Sequence, residues 1–171
     1  MAFLLHQMLS ENAARHPDKE AIVFKEQTIT YAELERNANR LAHGLIAQGV
    51  DKESRVGIHM DRGINAIIAA FAIMKAGATY VPIDPLSPSS RIKYIISKCK
   101  IEVLVTFHER LRNIEAAFPA DCPLKAIIVM DGISADQASP ESTELIDWKT
   151  ACDEHVENAP AINVVDSNVA Y

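Results

Sequence analysis

Arg55-Val56-Gly57-Ile58-His59-Met60-Asp61-Arg62-Gly63-Ile64-Asn65-Ala66-Ile67-Ile68-Ala69-Ala70-Phe71-Ala72-Ile73-Met74-Lys75-Ala76-Gly77-Ala78-Thr79-Tyr80-Val81 is the stretch that decides the fold. Val56 to Met60 is too short an apolar run for a helix and reads as a strand. From Ile64 to Ala76 the chain is apolar on nearly every side (Ile64, Ile67, Ile68, Phe71, Ile73, Met74), which predicts a helix buried on more than one face. Gly77 is placed to end it, and Thr79-Tyr80-Val81 reads as the next strand. Two strands joined through a buried helix are a βαβ unit, whose strands lie parallel and whose crossover is right-handed.

The same alternation continues on the C-terminal side. Pro82-Ile83-Asp84-Pro85 leads into a Pro/Ser loop, where Ser87-Pro88 supplies an N-cap and a first-turn proline for a helix to about Lys98. Ile101 to Phe107 and Ala126 to Met130 read as further strands, with a helix over 108–117 between them. The expectation is an α/β fold, a mostly parallel sheet with helices on both faces. Asp131 to Ala159 holds eight acidic residues and one lysine, Lys149, with turn formers at Gly132 and Ser139-Pro140. It reads as a long surface excursion with a helix around Glu144 to Ala151 carrying Trp148. Val164 to Tyr171 then begins another strand.

On the N-terminal side, Leu4, Leu5, Met8, Leu9 and Ala13 predict an amphipathic helix over 2–16, ended at His16-Pro17. Ala21 to Phe24 and Thr28 to Thr30 form a β-hairpin about Lys25-Glu26-Gln27. Thr30-Tyr31-Ala32-Glu33 is a capping box: the Thr30 hydroxyl accepts from the Glu33 N–H while the Glu33 carboxylate accepts from the Thr30 N–H. The helix it opens carries a stripe of Leu34, Ala38, Leu41, Ala42, Leu45 and Ile46, and Gly49 is placed to cap its end.

Composition bounds the function. The 171 residues are 49% hydrophobic and 23% charged, which suits one globular domain and excludes disorder as the main description. The longest apolar run, Ile64 to Met74, is about half of the ~20 residues a membrane span needs. The N-terminus lacks a basic, then apolar, secretory signal, and Cys99, Cys122 and Cys152 form no C-x-x-C pair, so a cytoplasmic, reducing compartment is expected. The net charge of −6 divides unevenly: residues 1–100 carry 13 Lys/Arg against 10 Asp/Glu, and residues 101–171 carry 4 against 13. No basic cluster suited to displacing counterions from a nucleic acid stands out.

Signatures of chemistry are sparse. Gly44 and Gly49 have P-loop spacing, but Val50-Asp51 follows where Lys-Ser/Thr is required. There is no dinucleotide fingerprint, nucleophile elbow or H-E-x-x-H motif, and the six histidines have no metal-ligand spacing. His59, Asp61-Arg62 and Asp84 fall just past predicted strand ends, where open α/β sheets bind ligands. For His59 a packed or solvated ring is the simpler reading, and for Asp84 an Asx-type turn.

Two stretches carry a resemblance. Ile29-Thr30-Tyr31-Ala32-Glu33-Leu34, with Asn37 to Ala42 after it, resembles the first core motif of the adenylate-forming enzymes. Met74 to Pro85, with Pro88 and Arg91-Ile92 after it, resembles the second. This superfamily contains acyl-CoA synthetases, adenylation domains of nonribosomal peptide synthetases, and luciferases. Val164 to Tyr171 resembles the approach to the third core motif, in which a Ser/Thr/Gly-rich loop ends in Pro-Lys-Gly.

The resemblance implies that residues 1–171 are the truncated N-terminal subdomain of an AMP-binding adenylation domain. The parent would be a ligase that activates a carboxylic acid with ATP and Mg²⁺ to an acyl-adenylate and passes it to a thiol of coenzyme A or of a carrier protein. The Val-Pro-Ile-Asp-Pro form and the Asn-Arg-Leu-Ala helix look more like amino-acid-activating domains, with an acyl- or aryl-CoA ligase as the alternative. A non-catalytic α/β binding module is the reading from another class. The resemblance transfers no catalytic, cofactor-binding or metal role to this stretch. Its motif residues are expected to be structural: Thr30, Tyr31, Glu33 and Leu34 at the helix start; Lys75, Gly77, Tyr80 and Pro82 at the helix-to-strand reversal; Asp84 and Pro85 at the strand exit, with Arg91 anchoring that exit electrostatically. The partners implied are the remainder of the domain and the acceptor thiol, and surface that this remainder covers would favour self-association of the isolated piece.

Overall fold

The computed structural model describes residues 4–115, 123–133, 143–151 and 157–162. Five parallel strands, β3 (Arg55–His59), β4 (Thr79–Pro82), β5 (Val103–Thr106), β6 (Ala126–Val129) and β7 (Glu144–Asp147), form one sheet in the order β4-β3-β5-β6-β7. An antiparallel hairpin, β1 (Glu20–Phe24) and β2 (Gln27–Thr30), stands apart from it.

Helices cover both faces, which is why the central strands are buried at nearly every position rather than at alternate ones. Val56, Ile58, Val103, Val105, Ala126 and Ile128 point to one face, under α2 (Tyr31–Ala47) and α3 (Ile64–Lys75). Leu104, Ile127 and Val129 point to the other, under α4 (Ser89–Cys99) and α5 (Leu111–Glu115). α1 (Leu5–Arg15) lies against α2 and α3 through Leu9 and Ala13.

Local chemistry sets the boundaries. The capping box is formed as expected: Glu33 N donates to Thr30 Oγ1 at 3.3 Å and Thr30 N donates to Glu33 Oε2 at 2.9 Å. At the far end of α2, Gly49 is left-handed at φ +82°, its N–H reaches Ile46 O at 2.9 Å and Val50 N reaches Leu45 O at 3.1 Å, a Schellman cap. Gly77, at φ +80°, ends α3 the same way, with bonds to Met74 O and, from Ala78, to Ile73 O. Lys100 takes this role after α4 at φ 52°, although it is not glycine.

Three expectations are corrected. Residues 144–147 are a strand, followed by the single turn α6 (Trp148–Ala151), not one helix. The four residues Glu-Leu-Ile-Asp are too few to show a period, and pairing with β6 decides their state. The run 108–117 divides into a 3₁₀ turn (His108–Arg110) and the short α5. The N-cap of α4 is Pro88, with no side-chain bond from Ser87. Cys122, Cys152 and the strand expected over 164–171 lie outside the described residues.

Candidate functional site

The strand order fixes where a site belongs. From β3 the chain runs through α3 to β4 on one side, and from β5 through α5 to β6 on the other, so the connections diverge above the carboxyl ends of β3 and β5. Such a switch point leaves a crevice in an open α/β sheet. A cavity of about 700 Å³ lies there, between the hairpin, the first turns of α2 and the β3–α3 loop, with Phe24 and Phe107 among its walls.

Its polar lining includes Arg36, Asn37, Asp61 and Arg62. Neither Arg36 nor Arg62 has an ion pair among the described residues. Glu33 also lines the cavity; hydrogen bonds from the Thr30 backbone and hydroxyl, with Arg36 nearby, hold its carboxyl below the usual range. Asp61 is paired with Arg110, which ties the β3 exit to the β5 exit and raises the guanidinium pKa.

His59 is the last residue of β3, two positions before Asp61. It is fully buried, its carbonyl accepts from Thr106 Oγ1 at 2.6 Å, and its Nε2 has no partner among the described residues. Burial first, then the positive charge of Arg110, lowers its pKa, so the neutral ring is favoured. Asp84 makes the expected Asx turn, accepting from Leu86 N at 2.9 Å. This chemistry can hold a polar or anionic group; no described lining side chain couples a nucleophile to a base.

The motif residues do not converge on this cavity. Of the residues given structural roles only Glu33 lines it, although Ile29 and Asn37 of the first core motif do as well, while Tyr80 and Pro82 lie on the edge strand β4. Arg91 is exposed, with no ion pair among the described residues, so its expected anchoring of the strand exit is not seen. Lys75 is buried on the helical side, where Nζ donates to Glu35 Oε1 at 2.8 Å and Ser10 Oγ at 3.0 Å. Asn39 joins this cluster by donating to Glu35 Oε1 at 3.4 Å and to the carbonyl of Glu157 at 2.6 Å. A second cavity of about 390 Å³ opens beside Lys75, His6 and Pro160. The sequence reading missed Ser10, Glu35 and Asn39. The available signal was Lys75 itself, since a cation inside an otherwise apolar helix needs a buried anion.

The AMP-binding enzyme family model matches residues 9–169, and the chain belongs to this family of adenylate-forming ligases. It is 46% identical over 102 residues to a linear gramicidin synthase polypeptide of Brevibacillus parabrevis, 60% of this chain and 1% of that protein. It is 43% identical over 102 residues to phosphinothricin tripeptide synthetase PhsC of Streptomyces viridochromogenes, 60% of this chain and 9% of that one. In fold it resembles a structure described as a long-chain-fatty-acid CoA ligase from Rhodopseudomonas palustris, with TM-score 0.77 and 22% identity over 94% of this chain and 39% of that one. The chain therefore spans a small part of these relatives.

Proposed function

We propose that residues 1–171 are the N-terminal subdomain of a cytoplasmic ligase that activates a carboxylic acid with ATP to an acyl-adenylate and hands it to a thiol. The observation that carries this reading is the family match over 9–169 together with the small share of each relative that the chain spans. Identity to peptide synthetases favours an amino acid as substrate and a carrier-protein thiol as acceptor, over an acyl-CoA ligase.

The roles we assign within this piece are structural. Thr30 and Glu33 cap α2, with Tyr31 and Leu34 in its first turn; Gly77 turns α3 toward β4, and Pro82 and Pro85 stiffen the exit that carries Asp84. Among the described residues no three His, Cys, Asp or Glu side chains are grouped to hold a metal. In this reading ATP and Mg²⁺ are held by the rest of the parent.

The test is ATP–pyrophosphate exchange. The 171-residue chain should give no exchange, while the full-length parent should exchange with members of an amino-acid panel. Exchange by the purified 171 residues would overturn the assignment of catalysis elsewhere; exchange by the parent only with fatty or aryl acids would select the acyl-CoA alternative.

A further inference from the structure

The outer face of α4 is cationic. Between Pro85 and Ile101 there are four cations, Arg91, Lys93, Lys98 and Lys100, and no acidic residue. All four are exposed, and none has a hydrogen-bonded or ion-paired side-chain partner among the described residues. By contrast Lys125 pairs with Glu102 at 2.8 Å and Arg110 with Asp61.

Helix electrostatics account for only half of this. Lys98 and Lys100, at the C-terminal end, complement the negative end of the helix dipole. Arg91 and Lys93 lie in the first half, where the dipole disfavours cations, and no acid in the first turn compensates. Arg91, Tyr94 and Lys98 are at i, i+3 and i+7, one stripe of the helix. Tyr94 on that stripe is 65% exposed, and Leu86, just before the helix, is 80% exposed. Arginine with an exposed aromatic residue is the composition of protein-interface anchors.

We propose that this face of α4 docks an acidic protein partner, its carboxylates over Arg91 and Lys98 and its apolar groups against Tyr94 and Leu86, with Lys93 and Lys100 adding to the positive field from the flank of the helix. Charge complementarity selects the occupant. A nucleic acid would meet only these four cations on a chain of net charge −6. A membrane would find little to bury, because Ile92 and Ile96, the apolar stripe of α4, are already packed in the core. The inference does not depend on the reaction assigned above.

The probe is a fluorescein-labelled 20-residue amphipathic helix carrying Glu on one face and Leu at its centre, titrated with the 171-residue chain at about 50 mM and 300 mM salt. Arg91→Glu/Lys98→Glu should weaken binding at least tenfold, and Tyr94→Ala several-fold, with thermal melts unchanged. Lys19→Glu/Lys52→Glu, an equal charge change at exposed cations elsewhere, should leave binding as it was. Equal loss in that control, indifference to Tyr94, or tighter binding to a 20-nucleotide single strand or to phosphatidylserine vesicles would each overturn the proposal.

Discussion

At Gly57 the space for a side chain is already filled: a Cβ there would stand 2.5 Å from Leu104 Cδ1 and 3.3 Å from Ile101 Cγ2. Leu104 is fully buried and has little room to retreat. Gly57→Ala should therefore cost about 1–3 kcal/mol in urea unfolding, as overpacked cores do; a neutral change would mean that Leu104 moves freely. Lys75 poses the opposite problem. Lys75→Met leaves Glu35 in the helix layer without its cation and should cost about 3–5 kcal/mol, whereas Lys75→Met/Glu35→Leu should recover most of it. A double variant no more stable than the single one would rule out ion pairing as the reason for the lysine. Lys100 has a Cβ in a left-handed position, and Lys100→Gly should raise stability by about 1 kcal/mol in the same assay.

Elements were legible in the sequence where a local signal and a tertiary need agreed. α2 announces its start through Thr30 and Glu33, its face through Leu34 to Leu45 and its end through Gly49, and each of these marks is kept in the structure. Removing one should be measurable: Thr30→Ala should cost about 1 kcal/mol, read by thermal melt. A cost near zero would show that packing alone holds the start of α2. The βαβ unit of β3, α3 and β4 was equally plain. β7 was not, because its four residues show no period and its acidic ends resemble a solvated loop. The cavity shared this illegibility. Phe24, Arg36, Arg62 and Phe107 come from four separate segments, and only the strand order brings them together.

For the whole molecule, the two histidines His6 and His59 set a pH dependence. Burial lowers both pKa values, with Lys75 adding to the effect at His6 and Arg110 at His59. The unfolded chain then binds more protons than the native one below about pH 6.5, so stability rises with pH through that window. It is full above pH ~6.5 and is lost as pH falls toward the depressed native values. Melting temperature should drop between pH 7 and 5, and His59→Gln should flatten the slope even if it lowers the plateau. A slope unchanged in that variant would remove His59 from the account.

The strand order also has a consequence in time. After β4 has paired with β3, every later strand joins at the open side in the order in which it is made: β5 on β3, β6 on β5, β7 on β6. Among the described strands none has to be inserted between two already paired. A chain leaving the ribosome from its N-terminus can therefore lengthen the sheet as it emerges, each arrival covering the edge exposed by the one before.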